Sequence, residues 1–365
     1  MLTKADDYPI HQTPEPIAYS GTDRNFYDRY FFNGYQREGE LFFAAALGVY
    51  PHLNVMDAAF SVLLDGRQYN VQASKVLHME RLNTQVGPVE VEVIEPLNVL
   101  RVSCDDPGNG IRADVCFRAR VPAVEEPRFI RRQGSQTFMD YTRLTQNGSY
   151  EGWLEVNGQR YEIKHEDTWG TRDRSWGIRS VGTRDPQPNP YAGDPQFYWL
   201  WAPLNFPSTN NFYHLNADRE GRPWNTMGRL ADPEGSEEMA AVSSRLRHRS
   251  GTRLAESATL EYVRENSEDV CIQLQPRQTF YMRGLGYMHP EWGHGLLHGE
   301  LATNFEVYET ADISGADPAF FHVQAICDAE LTTAGGSERG KGVLEQLVIG
   351  AYDPYGFSEL FDVAP

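Results

Sequence analysis

Residues 167 to 177 read Asp-Thr-Trp-Gly-Thr-Arg-Asp-Arg-Ser-Trp-Gly, a segment in which carboxylates, guanidinium groups and indoles are interleaved. The run before it alternates, so Tyr161, Ile163, His165, Asp167 and Trp169 are expected on one face of a strand, with Glu162, Lys164, Glu166 and Thr168 on the other. A mostly apolar face then carries His165 and Asp167. Burying a carboxylate is costly unless it is paired, and Arg172 or Arg174 can supply the partner. The plain alternative to a reactive acid is a structural ion pair beneath two core tryptophans, Trp169 and Trp176.

A second concentration of chemistry runs from Gly284 to Glu300 and holds His289, Glu291, His294, His298 and Glu300. Histidine and glutamate are ordinary zinc or iron ligands, but these spacings match no motif of known geometry. A hydrogen-bonded network lining a pocket or a domain interface accounts for the cluster without a metal. Trp292-Gly293 lets the chain turn, which predicts that Glu291 and His294 meet near the opening between two domains. A carboxylate there would hold the His294 imidazole ready to titrate near neutral pH.

The elements that must position these residues are strands. Asp65-Gly66 and Asn157-Gly158 each sit between alternating runs and read as hairpins. Further short runs continue to Phe320–Cys327, and helical periodicity is rare, so the chain reads as antiparallel barrels or sandwiches. Two turn-rich stretches, 185–196 and 232–238, are candidate linkers. With 365 residues there is room for two domains or one large β domain.

The net charge of -18 disfavours nucleic acid, whose phosphates such a surface repels. No apolar run is long enough to span a bilayer and no secretory core opens the sequence, so a cytoplasmic location is expected. Cys104, Cys116, Cys271 and Cys327 are too scattered for a disulfide framework and are read as thiols. The glycine-rich stretch 335–342 lacks the hydroxyl that would hold magnesium, and no helical pattern follows it.

Taken with Gly152-Trp153-Leu154-Glu155-Val156-Asn157-Gly158 and the strands 197–204 and 211–216, Asp173-Arg174-Ser175-Trp176-Gly177 resembles the Asp-His-x-Trp-Gly region of the carotenoid 1,2-hydratase (hydroxyneurosporene synthase) and AttH-like superfamily. His289-Pro-Glu-Trp-Gly-His294 and Gly350-Ala-Tyr-Asp-Pro-Tyr-Gly356 resemble an uncharacterised bacterial branch of it. The resemblance implies an all-β chain of two tandem lipocalin-like antiparallel β-barrel domains. If the first barrel runs through the strand ending near Asn216, the domains are 1–225 and 226–365. It also implies action on hydrophobic, isoprenoid or polyketide molecules by adding or removing water, isomerising or guiding cyclisation, without an organic cofactor.

One departure matters. The hydratases carry histidine directly after the motif's aspartate, where this chain has Arg174, and a downstream Tyr-x-Asp is replaced by Tyr198-Trp199-Leu200-Trp201. Arginine cannot shuttle a proton at neutral pH. Protonating an alkene, or expelling a tertiary hydroxyl, still needs an acid of raised pKa, an apolar wall and π faces for the cation. Trp169, Trp176, Trp199 and Trp201 are candidate faces, with Tyr198 and His289 beside them. Asp173 is the candidate acid. If Arg174 pairs with it, Asp167 with His165, or His294 with Glu291, takes the role.

The expectation is a cofactor-independent, metal-free hydratase/dehydratase or isomerase/cyclase with a hydrophobic small-molecule substrate, and with room for a homodimer. A non-catalytic carrier and a metal-dependent enzyme built on His289 to Glu300 are the alternatives. A carrier's cavity would be aliphatic and aromatic, whereas an enzyme's would bring an acid and a base together.

Overall fold

The computed structural model describes all residues except 1, 4, 6–9, 20, 22, 185, 186, 188–194 and 266–268, so most of the linker candidate at 185–196 lies outside the described residues. The first sheet takes β1 (Phe26–Gln36), β2 (Phe42–Tyr50), β3 (Val55–Leu64), β4 (Arg67–Val76), β5 (Gln85–Val86), β6 (Val89–Glu95), β7 (Val99–Asp106), β8 (Ile111–Ala119), β9 (Val124–Glu125), β10 (Phe129–Gln133), β11 (Gln136–Val156), β12 (Gln159–Ile163) and β13 (Thr168–Arg179). The second takes β14 (Phe197–Trp201), β15 (Leu204–Asn205), β16 (Asn210–Ala217), β17 (Pro223–Asp232), β18 (Gly235–Glu238), β19 (Ala241–His248), β20 (Ala255–Val263) and β21 (Val270–Tyr281). Next, β22 (Leu301–Glu309) returns to the first sheet, and β23 (Val323–Thr333) and β24 (Gly336–Ile349) complete the second.

All strand pairs are antiparallel, and the chain is all-β as the alternation predicts. The first sheet runs β22-β4-β3-β2-β1-β13-β11-β8-β7-β6-β5 and curls until its ends approach. Gly87, at φ 55, lets the β5–β6 turn come against Ala73 and Thr303, where a Cβ would crowd the threonine methyl at 3.0 Å. The second runs β18-β17-β16-β14-β24-β23-β21-β20-β19. Both sequence-predicted hairpins form, with Asp65 and Gly66, and Asn157 and Gly158, at the positive φ that their tight turns require.

Sheet membership departs from a division at 225. The strands 197–201 and 210–217, expected to end the first barrel, start the second sheet, so the chain crosses between sheets between Arg179 and Phe197. The stretch 232–238, read as a linker candidate, is the β17–β18 hairpin. All four cysteines are free, and the register sets Cys104 opposite Ala113.

Each barrel has its own core, one around Phe43, Phe60, Val115 and Phe117, the other around Leu200, Tyr213, Tyr262 and Ile272. A third core lies between them. Strand alternation builds it: on β1, Phe32 points into the first barrel while Phe31 joins Trp199, Trp201, Phe280 and Ile326 at the contact between sheets. That contact is also polar and specific. Asn33 Nδ2 donates to Gln324 Oε1 at 3.0 Å, Asn147 Nδ2 to the Leu204 carbonyl at 2.9 Å, and Tyr35 Oη to the Lys341 carbonyl at 3.1 Å. Buried amides with few alternative partners fix the register of one barrel against the other.

Candidate active site

A cavity of about 720 Å³ opens where the two sheets meet, within the 300–1,000 Å³ typical of small-molecule sites. Three neighbouring strands build its first wall through their register. Asp173 on β13 lies between Phe31 on β1 and Thr145 on β11, and the same face continues through Arg143, Tyr141 and Met139 to Arg179. The second sheet contributes Phe197, Trp199, Glu345, Leu347 and His322, and the segment after β21 brings Tyr287, His289 and His294.

Asp173 and Glu345 are the carboxylic residues among the described lining of this cavity. Burial, reinforced by the charges of Glu126 and Glu345 and opposed by Arg143 and Arg29, pushes the Asp173 carboxyl up to about 7. Among the described residues none hydrogen-bonds that carboxyl. Because successive residues of a strand face opposite ways, Arg174 cannot pair with it. Arg174 instead forms an ion pair with Asp28 and lies 4.2 Å from the Tyr30 ring centroid. The condition that would have disqualified Asp173 as an acid, a pair with Arg174, is therefore not met.

Behind Asp173 sits a sealed network. The Glu126 carboxylate accepts from Arg143 Nε at 2.7 Å, from Thr145 Oγ1 and from Trp201 Nε1 at 3.3 Å. Burial alone would raise the Glu126 carboxyl, but Arg143, His214 and the hydrogen bonds outweigh it and hold it below its ordinary value. Arg143 also lies 4.7 Å from the Trp199 ring centroid. Its charge is thus held by Glu126 and by π faces.

Across the cavity, Glu345 accepts from His322 Nε2 at 2.9 Å, Trp199 Nε1 at 2.9 Å and Gln324 Nε2 at 2.7 Å. Burial opposes its charge, yet these donors and the His322 ring keep its carboxyl below the usual range. With Nε2 engaged at Glu345, Nδ1 is the remaining ring nitrogen of His322, and among the described residues no hydrogen bond reaches it. A carboxylate orienting a histidine in this way is a familiar base arrangement.

The histidine segment is arranged differently from the sequence expectation. His294 does not meet Glu291, whose side chain is exposed. Arg29 Nη1 donates to His294 Nδ1 at 2.9 Å, and Nε2 donates to the Leu285 carbonyl at 3.0 Å, so the ring is neutral and fully used. Burial first, then the charges of Arg29 and Arg179, depress its pKa well below the ordinary value, the reverse of titration near neutrality. His289 Nδ1 accepts from the Glu291 and Trp292 amides, and its Nε2 donates to Glu306 at 3.1 Å. His298 Nε2 bonds the Glu291 carbonyl at 2.9 Å, while Glu300 pairs with His78 on the surface. The cluster is dispersed, and among the described residues no three His, Cys, Asp or Glu side chains gather as a metal site would require.

His165 and Asp167 fall outside the cavity because residues 165 to 167 form a turn that breaks the predicted alternation. His165 Nε2 pairs with Glu151 at 2.9 Å, and Asp167 accepts from Thr168 Oγ1 at 2.8 Å. Trp169 lies between the guanidinium groups of Arg37 and Arg120, 4.2 and 4.5 Å from its ring centroid, away from this cavity. Trp176 is 38% exposed on the far face of β13. Tyr198 stacks on Tyr352 inside the second barrel, with centroids 3.9 Å apart. Of the six proposed ligand-binding residues, only Trp199 and His289 line the cavity, and Trp201 backs it through Glu126.

Arg143, Arg179, Glu126, His322 and Glu345 were missed. They lie far apart in the sequence, and only long-range register brings them together. The alternation Phe197-x-Trp199-x-Trp201 set against Val343-x-Glu345-x-Leu347 is the signal that could have flagged Glu345, a lone charge in an apolar strand.

Comparison with solved structures finds the same architecture. Kievitone hydratase from Nectria haematococca matches with a TM-score of 0.53 at 12% identity, covering 88% of each chain. An AttH-like protein from Nitrosomonas europaea matches with a TM-score of 0.54 at 12% identity, covering 90% of this chain and 94% of its own. CghA with Sch210972 matches with a TM-score of 0.53 at 11% identity, covering 89% of both. At these identities the likeness is one of fold. No curated protein matches in sequence. The model of the family of unknown function DUF8625 matches residues 2–358, and the chain belongs to that family.

Proposed function

We propose that this protein is an acid/base enzyme that adds water to, removes water from, or isomerises a hydrophobic small molecule, isoprenoid-like in character, held in the cavity between the two sheets. Asp173 carries the reading: a carboxyl pushed up to about 7, unpartnered among the described residues, beside Phe31 and Trp199. A protonated carboxyl beside aromatic side chains can give its proton to an alkene carbon, and indole and phenyl faces stabilise the resulting cation. In hydration, water then adds to the cation and yields its proton to the His322–Glu345 pair. Dehydration reverses these steps, and isomerisation loses a carbon-bound proton in place of adding water. Hydration consumes one water, dehydration releases one, and the proton that Asp173 gives is balanced by the one that the His322–Glu345 pair takes, so no net proton is used.

The kievitone hydratase likeness supports this direction at the level of fold. A carrier would have no use for Asp173, His322 and Glu345 converging on one apolar cavity. The test begins with mass spectrometry of molecules that co-purify with the protein. Each is then incubated with wild type and with Asp173→Asn in ¹⁸O-water and in deuterium oxide. Wild type is expected to introduce label, and Asp173→Asn to bind as well but to turn over at least about 100-fold more slowly. Unlabelled ligand from wild type supports the carrier instead, and undiminished labelling by Asp173→Asn removes Asp173 from the chemistry.

A further inference from the structure

At the end of the cavity away from Glu126 lies the guanidinium of Arg179, a half-buried residue whose Nη2 is shielded from solvent. It lies 4.6 Å from the Tyr27 ring centroid and 5.8 Å from that of Tyr287. Among the described residues no carboxylate forms an ion pair with it, and its Nη2 has no hydrogen-bond acceptor. Buried arginines are ordinarily paired, because an unpaired charge in such surroundings costs several kcal/mol. Arg184, which also lines the cavity, is exposed to solvent, and two further cations near it are engaged. Arg143 is bound to Glu126, and Arg29 gives Nη1 to His294 and Nη2 to the Leu285 carbonyl. His289 and His294 have spent their N–H groups on Glu306 and on the Leu285 carbonyl. Among the described residues Arg179 is therefore the lining cation that pairs a solvent-shielded position with an unmatched donor, Nη2. Tyrosine rings can stabilise its charge through their faces but leave the donors unmatched.

We infer that Arg179 binds an anionic head group, a carboxylate, of the molecule whose apolar body lies along Phe31, Met139, Phe197 and Leu347, so that the substrate is an amphipathic acid. The inference rests on the cavity being the site proposed above and adds the polarity and orientation of its occupant. It also suits the chemistry, since a second negative charge in the cavity opposes ionisation of Asp173 and keeps its proton available.

The probes are all-trans-retinoate and all-trans-retinol, one skeleton with and without a carboxylate, titrated at pH 8 by quenching of tryptophan fluorescence. Wild type is expected to bind the acid about tenfold or more tightly than the alcohol, the worth of one charge-assisted contact. Arg179→Met should abolish that preference with retinol affinity unchanged, while Arg179→Lys restores part of it. Melting curves of each variant confirm folding, and the wild-type comparison needs no variant at all. Equal affinity for the two probes, or a preference that survives Arg179→Met, overturns the carboxylate site and leaves the acid/base reading intact. Failure of both probes to bind wild type overturns the apolar cavity itself, and the inference with it.

Discussion

Replacing Glu126 by Gln leaves the shape of its side chain nearly unchanged and removes a charge that four partners are built around. Glu126 is 2% exposed and Arg143 8%, and their hydrogen bonds tie β11 to the segment between β9 and β10. Glutamine presents an N–H pair where Arg143 needs an acceptor, leaving a buried guanidinium uncompensated. Breaking one member of a buried pair typically costs about 3–5 kcal/mol. For 365 residues unfolding together, at roughly 2 cal/mol/K per residue, each kcal/mol moves the melting temperature by roughly 1.3 °C, so a fall of about 4–7 °C is expected. The loss should be largest where Glu126 is ionised. Its folded pKa is depressed, so its contribution is present above the unfolded value of 4.5 and fades as pH falls through the folded one. Thermal unfolding followed by circular dichroism between pH 4 and 8, for Glu126→Gln, Arg143→Met and the double variant, measures this. Removing both charges should recover part of the loss. A shift below about 1 °C at pH 8, or a double variant no more stable than Glu126→Gln, would refute the buried-pair reasoning.

Asp173→Asn should raise stability at pH 8. The folded carboxyl titrates at about 7 against 3.8 for the ordinary group, so its stabilising contribution is complete below the unfolded value, declines as pH rises and is gone above about 7. That interval bounds the gain at roughly 4 kcal/mol, and an unchanged or lower melting temperature at pH 8 would contradict it. His294→Gln should keep both hydrogen bonds and flatten the acid side of the stability curve. The depressed His294 pKa makes wild type lose stability as pH falls below 6.5, and an unchanged slope would count against a neutral buried ring. Arg174→Met removes a half-buried pair with Asp28 and should cost roughly 1 kcal/mol while leaving cavity binding as it was.

Local signals carried well where the physics is local. Asp65-Gly66 and Asn157-Gly158 made their hairpins because two consecutive positive-φ residues fit a tight turn between twisted strands. The same alternation rule misplaced His165 and Asp167, since it assumes that the strand continues, and residues 165 to 167 turn. Asp173 was legible from its company of tryptophans. Its independence from Arg174 follows from the strand period alone. Glu126 reads as a surface loop residue in Val124-Glu-Glu-Pro127, and only the packing of Trp201 and His214 from the other sheet makes it buried. Likewise, no local pattern sends residues 301–309 back to pair with β4.

The central claim is that Asp173 holds a proton near neutral pH inside the cavity between the sheets. Carbon-13 NMR of protein labelled at aspartate Cγ, with Asp173→Asn to assign the resonance, measures that protonation directly across pH 3 to 9. One carboxyl absent from the variant should titrate near 7, set apart from the exposed aspartates near 4. If the Asp173 resonance titrates with those ordinary carboxylates, the residue is ionised at neutral pH and cannot be the acid.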